Sequence, residues 1–221
     1  MNVFDPTLAR KITADGNIAV VVLDDADKAV KLAQCLLDGG VTVMELTLRT
    51  PAAIEAIKRI AAEAPGMIVG AGTVLTPQQL KQSLDAGAAF AVAPGFNARI
   101  VAAAKELNFS FAPGVMTPSE IEGALELGCR LLKFFPAGVL GGLKAIKTLV
   151  APYNHLNVKY IPLGGLTPET TPEYLSCPLI AACGGSWIAP GKLINAGDWK
   201  AIRENAAKAT EISKSARALM K

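Results

Sequence analysis

Short apolar, β-branched runs recur along this chain at roughly 20- to 28-residue spacing, about the length of one strand, loop and helix. They are Ile18–Leu23, Val41–Leu46, Met67–Gly70, Ala89–Ala93, Phe109–Ala112, Arg130–Phe135, Val158–Leu163 and Leu179–Cys183. Helical patterns fill the gaps between them, among them Asp27–Leu37, Ala52–Ala64, Gln78–Ala86 and Ser119–Leu127, with Gly39, Gly87 and Gly128 as stops. Strands that are apolar throughout need cover on both faces, so the alternation implies a parallel sheet wrapped by helices. Eight such units predict an α/β fold of the (β/α)8 TIM-barrel type.

The helix starts carry their own signals. Thr50-Pro51, Thr76-Pro77, Thr117-Pro118 and Thr167-Pro168 each place a capping hydroxyl before a proline suited to the first helical turn. Gln79 and Glu120 stand where a capping box would need them. An extra N-terminal helix, about Pro6–Ala14, is expected to plug the base of the barrel, and a last helix, about Asp198–Met220, to close its outer ring. A doubly wound open sheet is the alternative, but the chain reads Leu23-Asp24-Asp25-Ala26-Asp27 after the first strand instead of a glycine-rich dinucleotide fingerprint. No linker breaks the rhythm, so residues 1–221 read as a single domain.

Charge and residue inventory narrow the chemistry. A net charge of +3 without a basic block, and 5% aromatics, argue against a nucleic-acid partner. No apolar run is long enough to span a membrane and the first residues lack a signal-peptide pattern, so the expected location is cytoplasmic. Cys35, Cys129, Cys177 and Cys183 show no metal or redox spacing and read as buried free thiols. The only histidine, His155, sits in a turn-like stretch. Histidine-based triads and zinc sites are therefore poorly supplied, which leaves lysine and carboxylate as the expected chemical groups.

Lys133 interrupts the apolar run Leu131-Leu132-Lys133-Phe134-Phe135-Pro136. Burial disfavours an ammonium ion, and a neutral amine in such a place can add to a carbonyl as a Schiff-base nucleophile. The bland reading is a lysine that snorkels outward or pairs with a buried carboxylate. Barrel active sites gather at the C-terminal ends of the strands. Those ends supply Glu45 within strand two and Arg49 just beyond it, Thr73 after strand three, Phe135 at the end of strand six, Gly165 after strand seven, and Gly185 with Ser186 after strand eight. Singly each is unremarkable for a loop; jointly they offer an amine, a proton-shuttling carboxylate, a guanidinium and a hydroxyl for a substrate carboxylate. The late glycines would let backbone N–H groups approach a phosphate.

These segments, Glu45-Leu46-Thr47-Leu48-Arg49-Thr50, Gly70-Ala71-Gly72-Thr73-Val74-Leu75, Lys133-Phe134-Phe135-Pro136-Ala137 and Gly184-Gly185-Ser186-Trp187, resemble the signatures of the 2-keto-3-deoxy-6-phosphogluconate (KDPG) and 4-hydroxy-2-oxoglutarate (KHG) aldolase family, in order and spacing. The resemblance implies a class I aldolase on a (β/α)8 barrel, a homotrimer, with no metal and no organic cofactor. It implies a small keto acid as substrate, split into pyruvate and glyceraldehyde 3-phosphate. By the same resemblance Lys133 forms the Schiff base and Glu45 is the general acid/base. Arg49 and Thr73 would hold the pyruvate carboxylate, Phe135 would pack beside the imine, and Gly165, Gly185 and Ser186 would hold the phosphate.

Two positions depart from that pattern. Strand seven ends Pro162-Leu163-Gly164-Gly165, with Leu163 where these enzymes usually carry a threonine, and strand one ends Val21-Val22-Leu23 without the arginine of some relatives. Leu163 is therefore a specificity position, and KHG or the galactonate epimer of the sugar acid stand as alternative substrates. A phosphate-binding isomerase on the same barrel, or a catalytically silent oligomeric barrel, are the rival classes.

Overall fold

In a computed structural model, residues 3–218 are described. The strands are β1 (Asn17–Val21), β2 (Val43–Thr47), β3 (Ile68–Gly72), β4 (Phe90–Val92), β5 (Phe111–Ala112), β6 (Gly114–Val115), β7 (Leu131–Phe134), β8 (Lys159–Pro162) and β9 (Cys183–Gly185). All pairings are parallel, in the orders β5-β4-β3-β2-β1-β9 and β6-β7-β8. The two ladders are stitched into one closed barrel at both seams. β5 and β6 are one strand interrupted at Pro113, which has no N–H to give a ladder but whose carbonyl accepts the Lys133 N–H at 2.9 Å. At the other seam the Tyr160 N–H bonds Leu179 and the Ala181 N–H bonds Tyr160, a parallel bridge of Tyr160 with Ile180.

The expected eight-stranded barrel is thus present, with several strands ending later than the apolar runs suggest. Glycine is responsible: β3 runs on to Gly72, the fifth strand passes Pro113 into Gly114, and β9 contains Gly184 and Gly185. A strand whose last residues are glycines has no side-chain alternation to announce it.

Ten α-helices pack against the barrel among the described residues, α1 at its base and the others on its flanks: α1 (Pro6–Asp15), α2 (Ala29–Asp38), α3 (Ala53–Glu63), α4 (Pro77–Asp85), α5 (Ala98–Glu106), α6 (Pro118–Glu126), α7 (Gly142–Val150), α8 (Thr171–Leu175), α9 (Gly191–Ala196) and α10 (Trp199–Ala218). The last of the expected helix, up to Met220, lies outside the described residues. None of the described helices is long and apolar enough to cross a membrane. Thr76 and Thr117 cap α4 and α6 as their sequence predicts, and Glu120 completes the box at α6. Gln79 instead accepts the Leu75 N–H at 2.8 Å. Thr50 does not cap α3, because its hydroxyl is engaged by the Leu23 carbonyl. Thr167 caps only a local turn, through the Thr170 N–H.

Two apolar bodies result. The larger lies between strands and helices and includes Leu32, Leu36, Ile57, Ile60, Leu80 and Ile146. The smaller fills the barrel itself, where Phe4 and Ile12 from the N-terminal segment meet Ile18, Val43, Phe90 and Ile161. α1 is the expected plug. It is capped by Asp5 and closed by Gly16, whose φ of 80° suits a glycine. Asp15, at its end, accepts bonds from the Thr42 N–H at 2.7 Å and hydroxyl at 2.6 Å. α1 thus covers this end of the barrel, and a cavity lies at the opposite mouth.

Candidate active site

Period-two alternation turns Glu45 of β2 and Lys133 of β7 inward, on strands whose residues are buried throughout. Their side chains, 2% and 6% exposed, meet across the barrel with Lys133 Nζ donating to Glu45 Oε1 at 2.8 Å. The lysine is therefore neither solitary in an apolar throat nor turned to solvent; it is buried and charge-paired. Breaking such a pair by removing one member costs about 3–5 kcal/mol, because the other is left uncompensated. Nζ also lies 5.6 Å from the centroid of the Phe135 ring, which is 37% exposed at the mouth.

A cavity of about 210 Å³ opens over this pair. Lys133, Glu45, Arg49, Thr73, Phe135, Leu163, Gly165 and Ser186 all line it. Among the described residues Glu45 is the one carboxylate in that lining, without the second carboxylate of a paired site. Arg49 is exposed, and its guanidinium pairs with no carboxylate among the described residues. Thr73 has φ 58°, a left-handed conformation that costs a β-branched residue about 1–3 kcal/mol and is held by its surroundings. An unpaired guanidinium and a hydroxyl on adjacent strand ends form a suitable grip for a carboxylate.

Gly185 does not line the cavity; Gly184 does. The two are successive strand residues and so face opposite ways. A side chain at Gly184 would run into Leu163 at 2.3 Å, inside the barrel, whereas one at Gly185 would meet Trp187. Gly164 and Gly165 are different in kind: both have positive φ, 89° and 80°, and make the tight corner after β8. That corner is pinned by the Ala137 N–H to the Leu163 carbonyl and the Gly138 N–H to the Gly164 carbonyl, each 2.7 Å. Val20, Thr47, Pro94 and Leu166 also line the cavity and escape a reading confined to loops and reactive side chains. Their only sequence signal is position at a strand end.

Other groups play no part at the mouth. The four cysteines are buried and free, with burial pushing the Cys129 thiol up to about 12 and Cys183 higher still. His155 is exposed, in a 3-10 turn after α7. Among the described residues no cluster of three or more His, Cys, Asp or Glu side chains is placed to hold a metal ion.

Comparison with known proteins agrees with this geometry. The family model described as "Aldolase: KDPG and KHG aldolase" matches residues 9–205. The chain belongs to the KDPG and KHG aldolase family. It is 40% identical to the KHG/KDPG aldolase of Escherichia coli strain K12 over 209 residues, 94% of this chain and 97% of that one. Among solved structures of this family it is similar to the KDPG aldolase of Legionella pneumophila with pyruvate captured as a covalent carbinolamine. There the TM-score is 0.86 at 36% identity, covering 91% of this chain and 97% of that one. It is similar too to the Zymomonas mobilis KDPG aldolase with 3-phosphoglycerate, with TM-score 0.85 at 37% identity over 92% and 95% of the two chains. The barrel architecture is that of these aldolases.

Proposed function

We propose that this chain is a class I, Schiff-base aldolase that cleaves 2-keto-3-deoxy-6-phosphogluconate to pyruvate and glyceraldehyde 3-phosphate. The observation that carries the reading is the buried Lys133–Glu45 contact of 2.8 Å at the floor of the mouth cavity. An ammonium group hydrogen-bonded to a carboxylate can pass it a proton and become nucleophilic without bulk water. Lys133 Nζ then adds to the C2 ketone, and protonated Glu45 returns its proton to the departing hydroxyl, so that loss of water from the carbinolamine gives an iminium and leaves Glu45 as a carboxylate. Glu45 removes the C4 hydroxyl proton as the C3–C4 bond breaks, its electron pair entering the iminium to give an enamine. Protonation of that enamine at C3 and hydrolysis of the imine release pyruvate and return Lys133.

In this reading Arg49 and Thr73 hold the pyruvate carboxylate, and Phe135 covers one side of the imine. Gly165, Ser186 and, through its backbone, Gly185 belong to the phosphate end. The relatives bound to pyruvate and to 3-phosphoglycerate support the two halves of that assignment. The proposal treats residues 1–221 as one catalytic domain that needs no cofactor, working in the cytoplasm as a homotrimer. Assembly would cover apolar surface such as Leu75 and Val139, which are 53% and 80% exposed in the single chain. Production of pyruvate from the phosphorylated sugar acid, followed with a pyruvate-specific dehydrogenase, tests the activity; no pyruvate from any of the three family substrates would reject it.

Substrate choice turns on Leu163. It is 4% exposed and its branched end fills the space over Gly184, putting carbon where a threonine would offer a hydroxyl. Leu163→Thr is expected to change the ratio of kcat/KM between the gluconate- and galactonate-derived substrates by about two- to tenfold, the worth of one hydrogen bond. Parallel assays of the two epimers and of 4-hydroxy-2-oxoglutarate measure it, and an unmoved ratio removes Leu163 from the specificity set.

A further inference from the structure

β3 carries two glycines, Gly70 and Gly72, that no turn requires: neither has a positive φ, and both sit inside a regular strand. What they share is crowding. A side chain at Gly70 would start 2.3 Å from the Phe90 ring, which enters from β4. A side chain at Gly72 would start 2.2 Å from Glu45 Oε1, 2.6 Å from its Cγ and 2.7 Å from its Cδ, entering from β2. The strand is thus a rail with two empty seats, each taken by a neighbouring strand.

Register explains why Glu45 takes the upper one. Gly70 is the direct partner of Glu45 on one side and of Phe90 on the other. Phe90 belongs to the barrel's interior cluster and fills the space over Gly70. The Glu45 side chain lies over Gly72 instead, and there its carboxylate reaches Lys133 Nζ at 2.8 Å.

We infer that Gly72 is the positioning residue of this site, its missing side chain being what holds the Glu45 carboxylate against the Lys133 amine. The inference rests on the aldolase reading above. A methyl group at Gly72 conflicts with Glu45 along most of its length, not only at a flexible tip. The carboxylate must leave the seat, and proton relay fails while the amine remains. Gly72 touches no reacting atom in this account; it acts through Glu45 alone.

That exclusivity is testable with a double-mutant cycle on the full-length protein. Gly72→Ala is expected to lower kcat by about a hundredfold, the scale of one misplaced acid–base group. The same substitution made on Glu45→Ala should change kcat less than about twofold, since distant or uncoupled effects add and this one has lost its target. Exchange of pyruvate methyl protons in D2O, read by NMR, should fall with kcat in Gly72→Ala and be insensitive to Gly72→Ala in the Glu45→Ala background. Borohydride trapping of pyruvate on each variant reports separately on the Schiff base, so failure of the aldolase reading is distinguished from failure of this inference. Gly72→Ala with unimpaired kcat, or the same loss in both backgrounds, overturns it. Should Gly72→Ala alone fail to fold, the Gly72→Ala/Glu45→Ala protein, in which the three clashing atoms are gone, must be as stable as Glu45→Ala in denaturant melts; if it is less stable, the inference is equally overturned.

Discussion

Lys133→Ala is expected to reduce cleavage to the uncatalysed background, because among the described residues no other amine lines the cavity to carry the covalent intermediate. The geometry adds a second expectation that the sequence alone does not. Glu45 is 1% exposed and, among the described residues, its only side-chain partner is Nζ, so the variant buries an uncompensated carboxylate. Removal of one member of a buried pair costs about 3–5 kcal/mol, less if the orphaned group takes up a proton or a water reaches it. Denaturant melts should therefore show Lys133→Ala folded but weakened. Lys133→Ala combined with Glu45→Gln should recover part of the loss while staying inactive. A Lys133→Ala protein that still turns over substrate would place the chemistry elsewhere.

Glu45→Gln separates the two halves of the mechanism. Glutamine is nearly isosteric with glutamate and keeps an oxygen to accept from the Lys133 amine, so the space over Gly72 is filled as before. It cannot take a proton. Turnover is expected to fall by about 10²- to 10⁴-fold, the usual worth of general acid–base catalysis. Reductive trapping of pyruvate should slow much less, since carbinolamine formation can draw protons from water. Steady-state kcat beside trapping rate makes the comparison. Equal losses in both would mean that Glu45 merely props up Lys133; no loss in either would mean that it stands outside the reaction.

The fold was legible because a parallel barrel writes itself in periodic apolar runs, and the eight runs from Ile18 to Cys183 lie on its staves. The reactive residues were legible for a related reason. A lysine within Leu131–Phe134 and a glutamate within Val43–Thr47 have no cheap place in a buried strand unless they face each other, and they do. Glycine marks where the reading falls short. Gly184 and Gly185 look like a turn on paper but are strand residues of opposite facing, and only the register with β1 reveals which one looks into the cavity. Gly72 carries no chemistry of its own, so nothing in a list of residue types points to it. The cap at Thr50 failed for a different cause: its hydroxyl found the Leu23 carbonyl, a neighbour that is 27 positions away in the chain.

The account stands on covalent capture at one nitrogen. Incubation of the purified protein with pyruvate and sodium borohydride, followed by intact-mass and peptide mass spectrometry, tests this without reference to which sugar acid is the natural substrate. The expected result is a single reduced pyruvate adduct on the peptide containing Lys133, absent from Lys133→Ala and from samples without pyruvate. An unmodified protein, or an adduct on any other lysine with Lys133 untouched, would contradict it.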